Sequence, residues 1–380
     1  MRLPSYHKKQ HRQGRQSLWE APSGRESMIQ QTKQSHRPLF RSHFRSRRLF
    51  QRASTACLVI LSLALSTLTA TTGEPAMLLE DHPLADTIWS VATGKQIDKQ
   101  ALFEAIEAKD YVMIGEKHDN PLHHQRQTML VRHLRETGAK GQLVAEMAEQ
   151  RHQSALDTTS PDHLDQLGDA IEWEKRGWPA WTLYQPIFAE ALKAGMALKA
   201  GNPDRATLMD AGKGEELDTA LLKELRWERD YAQPQRDDLL DELVDAHCGM
   251  MGRDAMQPLV TMQKLKDAFM ARALRQGREA GDVAILIAGN GHTRKDRGVA
   301  MFLDDADKVV SVALIEVVRG ETDASSYPSF DPALYDHVWF TPRLDEIDPC
   351  EKFRAQLEAM KSKMKANGTN AGGSKADKIH

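Results

Sequence analysis

Four residues set the chemistry to be explained: Glu116, His118, Glu146 and His292. Each stands at or just after the end of a short apolar run. Tyr111-Val112-Met113-Ile114 leads into Gly115-Glu116-Lys117-His118, Gln142-Leu143-Val144-Ala145 into Glu146, and Val283 to Ala288 into Gly289-Asn290-Gly291-His292. Carboxylates and imidazoles brought to one place hold a divalent ion or act as general bases. A lone histidine after a strand is ordinarily a solvated surface residue, and a glycine there is ordinarily a turn. A carboxylate directly after an apolar strand is harder to dismiss, because burying it without partners costs several kcal/mol.

These residues meet only if the apolar runs are neighbouring strands. Five runs, at 111–114, 142–145, 196–200, 283–288 and 309–315, are separated by helical patterns such as Pro121 to Thr137 and Gln257 to Gln276. Nearly unbroken apolar strands alternating with helices predict an α/β fold, an open and mostly parallel sheet flanked by helices. In such a sheet, ligands bind at the carboxyl ends of the strands. The stretches at about 158–190 and 208–277 lack strand signals and predict a smaller inserted all-helical subdomain. The expected organisation is a main domain over 80–320, an extension with a helix over 321–363 and a disordered tail over 364–380.

A second cluster, Trp173 to Pro186, holds three of the seven tryptophans together with Tyr184. Pro179 and Pro186 argue against one straight helix there. The segment reads either as aromatic core or as a wall for a flat ligand, built from Trp178, Trp181 and Tyr184, with Lys175 and Arg176 near enough to meet anionic groups. Near Ala246-His247-Cys248-Gly249 a helix is expected to end, with His247 capping it or facing the pocket.

Composition narrows the function. The 380 residues are 41% hydrophobic and 28% charged, with three cysteines, which excludes a disulfide-built scaffold and a paired CxxC zinc module. Residues 1–52 carry 13 Lys and Arg against two acids, leaving a net charge of −14 on the remainder. An acidic body does not suit nucleic acid. Residues 1–75 read as a basic arm and export signal, with an uncharged apolar core from Ala53 to Ala70. Ser46-Arg47-Arg48-Leu49-Phe50 resembles a twin-arginine signal, so the mature chain is expected to be exported, periplasmic or outer-membrane associated. Cys248 and Cys350 pair or stay free; the sequence leaves both open.

The fragments GEKHDNPLHH (115–124), LVAEM (143–147), EKRGWPAWTLYQP (174–186), AGN (200–202), AHCG (246–249), QKLKDAFMARAL (263–274) and IAGNGHTRKDRGV (287–299) together resemble the ChaN-like haem-binding family of the Tiki superfamily. The resemblance implies haem (iron protoporphyrin) binding in bacterial iron uptake, by a non-enzymatic carrier that forms a haem-dependent homodimer and works with an outer-membrane haem receptor. It also implies a tyrosine as iron ligand, which in this chain is Tyr184. Propionates want cations, and Lys117, Lys175, Arg176 or a cleft histidine, His118 or His292, are the candidates to meet them. Tyrosine is a known axial haem ligand. The other expectation is a metal-dependent hydrolase, peptidase or esterase-like, in which Glu116, His118, Glu146 and His292 hold the metal or act as general base.

Overall fold

Eight strands form one sheet in the order β2-β1-β8-β7-β3-β6-β4-β5, in a computed structural model that describes residues 76–351 together with Arg354 and Glu358. The strands are β1 (Ile88–Ser90), β2 (Lys95–Ile97), β3 (Tyr111–Glu116), β4 (Gly141–Glu149), β5 (Ala197–Asn202), β6 (Val283–Gly289), β7 (Val309–Glu316) and β8 (His337–Thr341). All pairings from β8 to β5 are parallel; β1 runs antiparallel to both β8 and β2. The five apolar runs are therefore strands, and the fold is the expected α/β type.

Side-chain alternation divides the sheet between two layers. Val112, Ile114, Leu143, Ile285 and Ile287 face α2 (Pro121–Glu136) and α5 (Trp181–Lys193). Met113, Val144 and Leu286 face the second half of α9 (Arg253–Arg275). Burial on both faces is why β3 and β6 read as unbroken apolar runs. Asn120 caps α2 by accepting from the Leu122 amide, and Pro121 occupies the first turn, where its missing N–H costs nothing.

Three expectations change. The helices at 164–193 lie on the sheet. The smaller helical part is α8 (Gln233–Ala246) with the first half of α9, packed around Tyr231, Leu239, Leu240, Leu243, Met256 and Val260. Pro186 lies inside α5 at an exposed position and does not end it. The stretch after 320 is no mere extension, because β8 sits between β7 and β1 and buries Val338, Trp339 and Phe340 completely. A chain ending at residue 320 would uncover the β7 edge and the apolar side chains packed against β8. It is expected to aggregate and to lose its cooperative thermal transition, checked by size-exclusion chromatography and circular dichroism.

The expected arm and export signal (1–75) and tail (364–380) lie outside the described residues. So does most of the helix expected over 351–363, although a helix begins at residue 349. Cys248 and Cys350 form a disulfide. Among the described residues no helix is long and apolar enough to cross a membrane.

Candidate functional site

Parallel pairing of β6 with both β3 and β4 brings the ends of all three strands together. Glu116 is the last residue of β3. Glu146 comes directly after Ala145, the last residue of β4 to pair with β6, where the register against β5 also shifts. That irregularity re-aims the strand, and the Asn202 amide holds it by donating to the Glu146 carbonyl at 2.6 Å. His292 follows β6 through a tight turn in which its amide bonds to the Gly289 carbonyl.

The side chains form a ladder of alternating acid and base. Glu116 Oε1 accepts from the Tyr184 hydroxyl at 2.7 Å and lies 2.7 Å from His118 Nδ1. Its Oε2 lies 3.0 Å from His124 Nδ1. His118 Nε2 is 3.7 Å from Glu146 Oε2, and His292 Nε2 is 3.3 Å from Glu146 Oε1. His292 Nδ1 meets Asp267 Oδ1 at 2.6 Å, and Tyr231 donates to Asp267 Oδ2 at 3.2 Å. Lys266 stands 3.8 Å from Glu146.

The two glycines are not simple turns. A Cβ on Gly115 would collide with the Asn290 side chain at 2.1 Å, and one on Gly289 would sit 3.1 Å from His118 Nε2. Both therefore leave room for a neighbouring side chain, and the Gly289 amide also donates to Glu146 Oε2 at 2.9 Å.

Electrostatics follow from this packing. Burial alone would raise Glu116 and Glu146. The histidine charges and bonds overcome it and hold both carboxyls well below the usual range. Burial opposes protonation of His292, yet Glu146 and Asp267 on its two sides push it up to about 10. His118 is raised in the same way, against burial, by Glu116 and Glu146. Asp267 is raised by burial, partly offset by His292. His123 is driven by burial down to about 3. That neutral ring accepts from the Lys117 amide at 2.8 Å and lies 2.9 Å from the Thr341 hydroxyl, tying the site's loop to β8.

A family model for haem-binding uptake proteins of the Tiki superfamily, ChaN, matches residues 102–303, just over half of the chain. This chain belongs to the ChaN family. Among solved structures, a ChaN of Campylobacter jejuni described by its cofacial heme binding is similar, at TM-score 0.51 and 21% identity over 66% of this chain and 95% of that one. That likeness supports the same fold. The type III effector HopBA1 (TM-score 0.36, 14% identity, 64% of this chain and 92% of that one) and an erythromycin esterase, EreC (0.35, 13%, 68% and 97%), resemble it too weakly to carry an argument. No curated protein matches the sequence.

In this ChaN-family chain the four strand-end residues do converge, but they satisfy one another. Among the described residues no group of three or more His, Cys, Asp or Glu is placed to hold a metal ion, so the geometry lends no support to Glu116, His118, Glu146 and His292 as a metal centre.

The setting of Tyr184 does not favour its assignment as the iron ligand. Tyr184 is fully buried, wedged between Trp173 and His124, with its hydroxyl committed to Glu116. Burial, then the Glu116 charge, pushes the phenol far above its ordinary value, the opposite of what a phenolate ligand needs. Tyr184→Phe removes one bond to a charged acceptor that keeps its bond to His118 and its pairing with His124. It is expected to cost about 1.5–3 kcal/mol in urea unfolding and to leave any hemin spectrum unchanged.

The rest of the aromatic segment is mainly packing. Trp173 is completely buried and donates to the Pro179 carbonyl, and its ring meets those of Trp181 and Tyr184. Trp178 and Trp181 are half-buried; Trp178 reaches the site, its ring centre 5.0 Å from that of His118. Arg176 does not face a ligand, because Glu149 and the Met147 carbonyl hold it. Lys175 is 80% exposed, 3.8 Å from Glu172. Lys117 pairs with Glu316 at 3.0 Å. His247 caps α8, its Nδ1 2.7 Å from the Leu243 carbonyl.

Sequence reasoning missed His124, Asp267, Tyr231 and Lys266. Asp267 had a legible signal: it is an acid among the apolar positions of a long amphipathic helix, where it would be buried without an evident partner.

Proposed function

We propose that the chain is an exported, non-enzymatic carrier of ferric haem, with His118 as the iron ligand and a second copy covering the porphyrin. The observation that carries this reading is the setting of His118. Its side chain is 34% exposed, unlike those of Glu116, Glu146 and His292, and a carboxylate holds its Nδ1. A metal-binding histidine almost always has its second nitrogen oriented in this way, which fixes the tautomer and makes the other nitrogen, here 3.7 Å from Glu146 Oε2, more basic.

The residues present fit the group. The half-buried Trp178 offers an apolar face beside His118, while Lys266, 3.8 Å from Glu146, supplies a cation for a propionate. Bound haem would supply an iron centre that accepts an imidazole nitrogen. This chain's own part is to hold that imidazole through Glu116, to keep Glu116 ionised through His124 and Tyr184, and to present Trp178 beside it. Affinity for the iron requires His118 to give up its proton, since a metal-bound imidazole is neutral. The same proposal has the mature chain work beyond the inner membrane, in association with an outer-membrane haem receptor.

The test is a hemin titration of the full chain, followed by absorption and sedimentation. Saturable uptake of one haem per chain with a shift from monomer to dimer is expected. Stoichiometric zinc, manganese or cobalt in chelator-free protein, with no hemin uptake, would overturn the carrier reading in favour of metal-dependent hydrolysis.

A further inference from the structure

The ladder has a second open end. Asp267 and His292 border a cavity of about 180 Å³ that neither His118 nor Glu146 lines. Tyr231 and Gln263 complete its polar side, and Leu239 and Leu243 of α8 form its apolar wall.

Its charges are already spent on one another. His292 is bonded to Asp267, and Arg297 is paired with Glu242 and, at 3.2 Å, with Asp238. An ionic ligand would have to break one of these pairs, which is costly in a buried setting. One buried polar atom of the lining has no partner within the protein: Gln263 Oε1. A buried acceptor left unmade costs about 1–3 kcal/mol, so the cavity favours an occupant that brings a donor. Size sets the rest, since a cavity of about 150 Å³ lined by apolar side chains holds benzene.

We infer that this cavity between α8, α9 and the loop after β6 binds a small neutral molecule of one-ring size, with an apolar body and one hydroxyl that donates to Gln263 Oε1. Phenol is the simplest member of that class. A porphyrin is far too large for this space, so the site is separate from the haem reading and does not depend on it.

The experiment titrates the full chain with phenol and with toluene by calorimetry, with hemin uptake measured in parallel. Phenol is expected to bind saturably and more tightly than toluene. Gln263→Met, which keeps the volume and removes the acceptor, should weaken phenol about tenfold and leave toluene and hemin unchanged. Ala246→Phe, at an exposed position on the cavity rim, should abolish binding of both small molecules while hemin uptake persists. Absence of saturable phenol binding by a chain that melts cooperatively would overturn the inference. So would equal phenol affinity in Gln263→Met, or an Ala246→Phe protein that still binds phenol.

Discussion

Hemin affinity is expected to fall by about 100-fold or more in His118→Ala, with loss of the ligand-dependent absorption bands. Losing an outer-shell partner of a metal ligand typically costs 10–100-fold, and losing the ligand itself should cost at least the upper end. The side chain leaves without opening a core, because it is one-third exposed, so the thermal midpoint should move by only a few degrees. That separates ligation from folding. Exogenous imidazole should restore part of the spectrum, by filling the place vacated beside Trp178. If His118→Ala keeps both wild-type affinity and spectrum, His118 is not the ligand, and another side chain must be sought on that face. Glu116→Gln should have a smaller effect in the same direction, since it keeps an acceptor for His118 Nδ1 but not its charge.

The second large effect concerns stability. Glu146 is buried, accepts from the Gly289 amide and stands between two imidazole rings. Glu146→Ala should destabilise the fold by about 3–5 kcal/mol, the usual cost of leaving a buried charge unpaired. Its pH dependence has a definite sign. The Glu146 carboxyl is depressed from 4.5, so its contribution is present above that value and fades as pH falls below it. The His292 ring is raised from 6.5 to about 10, so its contribution is complete below 6.5 and is lost as pH climbs toward 10. The pair is therefore worth most between 4.5 and 6.5. Urea unfolding at pH 5.5, 7 and 9 should show the gap between wild type and Glu146→Ala narrowing at the alkaline end. A constant gap would mean that packing, not charge, makes Glu146 necessary.

The sequence made some of this legible and concealed the rest, for physical reasons. Strands β3, β4, β6 and β7 are covered on both faces and so carry continuous apolar runs that stand out from amphipathic helices. β8 is equally apolar, His337 to Thr341, but is only five residues long and stands among prolines at 328, 332 and 342. β1 and β2 have three residues each, too few to show a period. The meeting of Glu116, Glu146 and His292 was readable because parallel strands put their carboxyl ends side by side. For Asp267 only its burial was readable, not its partners, since a helix residue joins a strand-end cluster only once the packing of α9 is known. Tyr184 shows the same limit in reverse. Its aromatic neighbourhood suits a ligand wall and a packed interior equally well. The choice is made by the docking of α5 on α2, which turns the phenol inward to Glu116.

The bond between Cys248 and Cys350 closes a stretch of 102 residues that includes α9, β6, β7 and β8. Cross-linking a chain over such a distance removes about 4–5 kcal/mol of freedom from its unfolded form, and bonds of this kind persist where thiols are not kept reduced. The compartment in which the polypeptide matures thus enters its thermodynamics. Material made in a reducing cytosol would lack this staple between the turn after α8 and the helix start that follows β8. Its heat resistance should then depend on the oxidant supplied during purification.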